Sequence, residues 1–197
     1  MAADDRRTVA ALNARAREDH IQAGLVDPGR SVGLAAGTSA SVGDLVITRR
    51  NDRRLTAGQT GWMRNGDRWT VTAINSDGSV AVRRAGHSRG ATVVLPSAYA
   101  AERLDLGYAV TGHGAQGVAV ETAHVIATGR TAREGLYVGL TRGREANHVY
   151  VVTDTDQADA DTLRPERATA AEVLARAVQT SGAESSAHQA QRTEEER

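Results

Sequence analysis

At Gly43 the hydrophobic period of this chain changes, and the change sets apart a β module that ends near Leu95. Before it, residues 5–24 place Val9, Leu12, Ala16 and Ile21 on one helical face. Arg15, Arg17 and Glu18 lie off that face, and Gly24 offers a stop. Residues 26–40, with Pro28 and several Gly and Ser, read as a loop. The stretches 44–49, 68–74, 79–84 and 91–95 then read as short strands, with Ser76-Asp77-Gly78-Ser79 as a turn. Strands so short and so closely spaced predict a small barrel rather than a layer of a βαβ sheet.

After Pro96 the α/β pattern returns. Helices are expected over 97–104 and 133–141, and strands over 108–111, 123–128 and 148–152. Their apolar runs are short and continuous, as in strands buried on both faces. The predicted organisation is an α/β, partly parallel sheet from residues 1–40 and 96–155, interrupted by a barrel at 41–95. The acidic tail 156–197 carries an amphipathic stretch near 170–178, with disorder expected after about Thr180.

Composition narrows the chemistry. All 24 basic residues are Arg, so the Lys of a Walker A loop and Schiff-base chemistry are both excluded. With no Cys there are no disulfides, thiolate metal sites or thiol nucleophiles. Phe is absent, so a core must rest on Val, Leu, Ile and Ala around Trp62, Trp69 and four Tyr. From Asp44 to Val93 nine Arg face four Asp, whereas from Asp154 to Arg197 five Arg face ten Asp and Glu. A basic middle and an acidic end predict a local anionic partner and a solvated tail. No signal peptide or membrane-length apolar run is visible, so a cytoplasmic location without a membrane partner is expected.

Two glycine-rich turns carry the functional signal. Gly107-Tyr108-Ala109-Val110-Thr111-Gly112-His113-Gly114-Ala115-Gln116-Gly117 and Leu136-Tyr137-Val138-Gly139-Leu140-Thr141-Arg142-Gly143-Arg144 each follow or contain an apolar run, and the second closes on two arginines. Backbone amides in such turns suit phosphate, and arginine adds a charged fork. The first also satisfies the dinucleotide pattern Gly-x-Gly-x-x-Gly, but residues 118–126 return to strand too soon for a crossover helix. The run Asp154, Asp156, Asp159, Asp161 fails the EF-hand spacing at Ala158 and Asp159. His-Glu-x-x-His is absent.

Together, Tyr-Ala-x-Thr-x-His-x-Ala-Gln-Gly at 108–117 and Tyr-Val-x-Leu-Thr-Arg-Gly-Arg at 137–144 resemble motifs V and VI of superfamily 1 DNA helicases. The likeness is to the second motor domain of conjugative relaxase-helicases and their exonuclease-helicase relatives. It implies a RecA-like sheet of the P-loop NTPase type carrying an inserted SH3-like module. Residues 51–55 and 64–71 resemble that insert, and Arg6 with Val9-Ala10-Ala11-Leu12-Asn13 resembles motif IV. The resemblance implies that Arg142 reaches the γ-phosphate of an ATP, with its Mg, held by another RecA-like domain on the same or an adjacent polypeptide. It also implies nucleotide contacts from Gln116, Gly117 and Arg6, and DNA-backbone contacts from Thr111 and His113. Gly114 and Ala119 depart from the family pattern, which often has Lys or Ser, and Glu or Thr, at those places.

In the β module, Arg49, Arg50, Arg53, Arg54, Arg64 and Arg68 predict a cationic strip for single-stranded DNA, with Arg49, Arg53 and Trp62 as its foremost contacts. Trp69, inside an alternating run, is expected in the core, and Asn13 is expected to fix backbone. The Walker A and B half is missing from the chain, and the strand that precedes the motif IV helix is expected to be missing too. The sequence therefore reads as a helicase part that does not turn over ATP alone. Two alternatives stand beside it: a stand-alone single-strand-binding module, and a regulatory partner of a complete motor.

Overall fold

The computed structural model describes residues 1–56, 61–87, 90–153 and 168–182. The chain opens with strand β1 (Ala2–Ala3) and helix α1 (Arg6–Gln22). Strands β2 (Asp27–Gly33), β3 (Ser39–Val42), β4 (Leu45–Thr48), β5 (Asp52–Thr56), β6 (Trp62–Met63), β7 (Arg68–Ile74), β8 (Val80–Arg84) and β9 (Thr92–Leu95) follow. Helix α2 (Ser97–Arg103) leads into β10 (Leu104–Leu106) and β11 (Val110–Thr111). After a single 3-10 turn at His113–Ala115 come β12 (Val120–Ala127), α3 (Arg133–Leu140), β13 (Gly143–Val151) and α4 (Ala170–Gln179). The chain divides into two compact units, residues 6–110 and residues 1–5 with those from 111 onward. Among the described residues no helix is long and apolar enough to cross a membrane.

In the first unit β10-β4-β7-β8-β9 form an antiparallel sheet, with the hairpins β2–β3 and β5–β6 beside it. Alternation explains the sheet: β7 turns Trp69 and Val71 inward, and β9 turns Val93 and Leu95 inward. Trp69 is 1% exposed and fills the centre that Phe would otherwise occupy, with the Arg84 guanidinium 4.9 Å from its ring. Helix α1 is pinned to this unit by buried polar groups. Asn13 donates to the carbonyls of Val9 and Ala109 and accepts from the Ala109 amide, so it does hold backbone. Arg17 pairs at 2.9 Å with the fully buried Asp44, which also accepts from the Ser41 amide and the Tyr108 hydroxyl. Burial first, and then that bond to Asp44, push the Tyr108 hydroxyl well above its ordinary range, so it remains a neutral donor.

In the second unit β1, β12 and β13 are parallel, with Ala2 opposite Val125 and His124 opposite His148. β11 borders β1. Val125, Ala127, Leu136 and Ala177 make the core on one face, with Leu140, Val149 and Leu174 packed against it. Helix α4 starts on a capping box between Thr169 and Glu172, which fixes its first turn.

Several expectations change. A strand does precede α1: buried Ala2 and Ala3 pair into the sheet, too short to leave a hydrophobic period. The expected loop at 26–40 is largely the hairpin β2–β3, whose first strand is exposed and therefore carries no alternation. The β5–β6 hairpin takes in Trp62, whose two-residue strand is too short to leave an alternation. β12 and β13 are not buried on both faces; His148 and Tyr150 of β13 are exposed beside His124. The amphipathic stretch at 170–178 is α4. The acidic run from Asp154 to Asp161 and the disorder expected beyond Thr180 fall outside the described residues, apart from Ser181 and Gly182.

Candidate functional site

In the second unit the Thr111–Gly117 turn is built from its own backbone. Thr111 Oγ1 accepts from the Gly114 amide at 3.1 Å, and the Ala115 and Gln116 amides bond back to Gly112 and His113 carbonyls. The turn begins where the Gly112 amide bonds Ala3, at the carboxyl end of β1, and leads to Val120 at the start of β12. Gly117 has φ +76°, a left-handed conformation that makes glycine the fitting residue before the chain extends. His113, Gln116 and Gly117 are exposed and Thr111 is half-buried.

Helix α3 packs against this turn and against β12. A Cβ at Gly139 would stand 2.6 Å from Val125 Cγ2, so glycine lets α3 approach the sheet closely. The helix ends on Thr141 and Arg142. Thr141 Oγ1 donates to the Tyr137 carbonyl, Arg142 Nε donates to the Val138 carbonyl at 2.9 Å, and Arg142 Nη2 donates to Thr141 Oγ1 at 2.8 Å. A cation on the last carbonyls complements the negative end of the helix. The Val120 amide donates to the Arg142 carbonyl at 2.9 Å, which ties the helix end to the start of β12. Thr111, His113, Gln116, Gly117 and Arg142 thus stand on one connected set of elements.

The remaining candidates belong to the other unit. Arg6 is exposed at the first position of α1. Arg49 follows β4 and pairs with Asp105 at 2.7 Å, which braces β4 against β10 and ties up much of its guanidinium. Arg68 leaves the expected strip: it is half-buried on the pleat face opposite Trp69, and its Nη2 donates to the Gly107 carbonyl at 2.6 Å. Burial pushes its guanidinium below the usual arginine range. Trp62 is half-buried, with the guanidinium of Arg53 at 5.5 Å and that of Arg64 at 5.3 Å from its ring. A base that stacked there would displace an arginine already on the ring. Arg54 pairs with Asp52 at 3.3 Å.

Beside β5 lies a groove of about 630 Å³, whose far wall is α2 and includes Tyr99 and Arg103. These two did not stand out in the sequence, because helix α2 is short and carries no motif. The available signal was their spacing of four, which puts a ring and a cation on one helical face. Among the described residues no cluster of His, Asp and Glu suits a metal ion.

Comparison with known proteins gives this geometry its relatives. Residues 32–105 match the Rv2311 SH3-like barrel domain family. The Rv2311 protein of Mycobacterium tuberculosis is 36% identical over 94 residues, 47% of this chain and 53% of that one. Conjugal transfer protein TraA of Rhizobium radiobacter is 32% identical over 149 residues, 75% of this chain and 13% of TraA. Multifunctional conjugation protein TraI of Escherichia coli is 37% identical over 116 residues, 54% of this chain and 6% of TraI. Among solved structures, Bacteroides Pif1 bound to single-stranded DNA aligns with a TM-score of 0.52 at 19% identity, covering 75% of this chain and 39% of Pif1. Pif1 helicase in complex with ADP-AlF3 and single-stranded DNA aligns with a TM-score of 0.53 at 18% identity, over the same shares. The chain is therefore similar in sequence to conjugal transfer proteins, and its mixed α/β fold, with a parallel sheet and an SH3-like barrel, is that of the aligned part of Pif1. It spans about half of Rv2311 and 13% of TraA.

Proposed function

We propose that this chain serves as the second motor domain of a DNA helicase related to the conjugative relaxases, completing an ATP site that another RecA-like domain holds. The observation that carries the reading is the end of α3: Arg142 is joined through its carbonyl to β12, and α3 packs on the Thr111–Gly117 turn. Strand β10 at 104–106 joins the barrel sheet and the family match runs over 32–105, wider than the 41–95 expected from sequence. In this reading that barrel is the insert, and the parallel β1, β12 and β13 belong to the RecA-like part. Without Lys the chain cannot itself cradle ATP and Mg, so the Walker residues come from the same or an adjacent polypeptide. Arg142 would exchange its bonds to Val138 and Thr141 for the γ-phosphate and offset charge that develops there. Arginine fingers are generally worth about 10³ to 10⁵ in rate. In the unit that carries Arg142, Gln116 and Gly117 serve the nucleotide and Thr111 and His113 the DNA backbone; in the other, Arg6 is a separate nucleotide contact and the exposed arginines of the β module are separate single-strand contacts.

A chimera tests this: TraA with its matching segment replaced by residues 1–153 of this chain. DNA-stimulated ATP hydrolysis is expected, and Arg142→Ala should abolish it without lowering the melting temperature. Turnover by the isolated chain, or a chimera indifferent to Arg142, would overturn the reading.

A second reading draws on the Rv2311 match. The matched family is defined by its SH3-like barrel, which falls on residues 32–105 of this chain. A stand-alone single-strand-binding module would then bind without regard to ATP and lose binding on Arg49→Ala with Arg53→Ala.

A further inference from the structure

We propose that the groove between β5 and α2 seats a short stretch of single-stranded DNA, with phosphates on Arg50, Arg53 and Arg103 and a base against Tyr99. This rests on the DNA-binding part of the reading above and adds to it a second wall, drawn from a helix outside the arginine-rich run. Three observations carry it. The groove holds about 630 Å³, within the roughly 300–1,000 Å³ of small-ligand clefts, which fits a few nucleotides rather than a duplex. Of its two acidic residues, Asp52 is engaged with Arg54 at 3.3 Å, and Glu102, largely exposed, lies 3.3 Å from Arg103, which a phosphate would draw away from it. Arg50 and Arg53 line the groove; Arg50 feels Asp52 only at longer range than a salt bridge, and Arg53 lies 5.5 Å from the Trp62 ring, so both can turn to an anion. Tyr99 is preset: its ring packs partly on the barrel core, and its hydroxyl donates to the Arg50 carbonyl at 3.1 Å. A fixed ring flanked by guanidinium groups accepts a base and its phosphates together, and only an unpaired base offers its face.

The test is fluorescence anisotropy of the full chain with a short labelled oligo-dT over a series of salt concentrations. Tyr99→Leu should weaken binding about 5- to 150-fold, the range for one base stack, and Tyr99→Phe should keep most of it. Arg103→Gln should reduce the slope of log affinity against log salt by about 0.7. Because Arg103 ends its helix at the surface, that variant decides the matter if Tyr99→Leu does not fold. Wild-type affinity and slope in these variants, no binding at all, or a blunt duplex competing equally would overturn the proposal. The readout is binding by the isolated chain, so its failure is separate from a failure of the Arg142 test, which reads ATP turnover.

Discussion

Asn13 shows how far one residue can be read. Its place in the motif IV resemblance and its polar side chain in an apolar helix point to backbone fixing, and it bridges α1 to both polar groups of Ala109. Replacing it by Leu leaves those groups buried without partners. The expected cost is about 2–6 kcal/mol, at about 1–3 for each of the two unsatisfied groups; a shifted denaturation midpoint with unchanged slope would confirm it. Arg142 is read differently. The motif names the residue, but only coordinates show its guanidinium resting on the Val138 carbonyl and Thr141. Arg142→Lys keeps charge but loses the fork, so the chimera's turnover should fall nearly as far as with Ala. Arg68 counted toward the cationic strip in sequence, but it is half-buried and bonded to the Gly107 carbonyl. A run of arginines does not say which of them the fold itself engages.

At the scale of elements, close packing and tail docking give two predictions. Gly139 sits where α3 presses on Val125, so Gly139→Ala should cost about 1–3 kcal/mol by overpacking. Val125→Ala in the same chain should recover part of that, and a double-mutant cycle of denaturation midpoints measures the coupling. The end of α4 is clasped to the start of α3: Glu134 accepts from the Gly182 amide at 2.7 Å and from the Ser181 hydroxyl, and the Arg133 amide donates to the Thr180 carbonyl. The Gly182 amide bond, first among several, lowers the Glu134 carboxyl to about 2. A lowered carboxylate contributes fully above its unfolded value of 4.5, and the contribution fades as pH falls toward 2. The protection of the Gly182 amide, relative to its intrinsic exchange rate, should therefore fall between those values, and Glu134→Gln should remove that pH dependence of protection.

For the molecule as a whole, charge makes the prediction. The excess of arginine between Asp44 and Val93 should give DNA binding that weakens steeply with salt, while removal of the acidic residues beyond Asp154 should strengthen it. Affinities of the full and shortened chains at matched salt measure this. Much was legible beforehand. Strands β4, β7, β8 and β9 announced themselves by alternation, and helices α1, α2 and α3 by period and stops. Exposed β2 and two-residue β1 were hidden, because pairing through backbone alone leaves no side-chain pattern. The sequence by itself determined the chemistry available: no Lys to cradle ATP, no thiol, arginine as the one phosphate ligand, and two turns whose residue types suit phosphate. Tertiary structure decided which of those arginines face outward, what Arg142 rests against, and that Tyr99 meets β5 across a groove. Composition and local period are carried by neighbours in sequence. Side-chain direction and juxtaposition are settled by contacts between residues far apart along the chain.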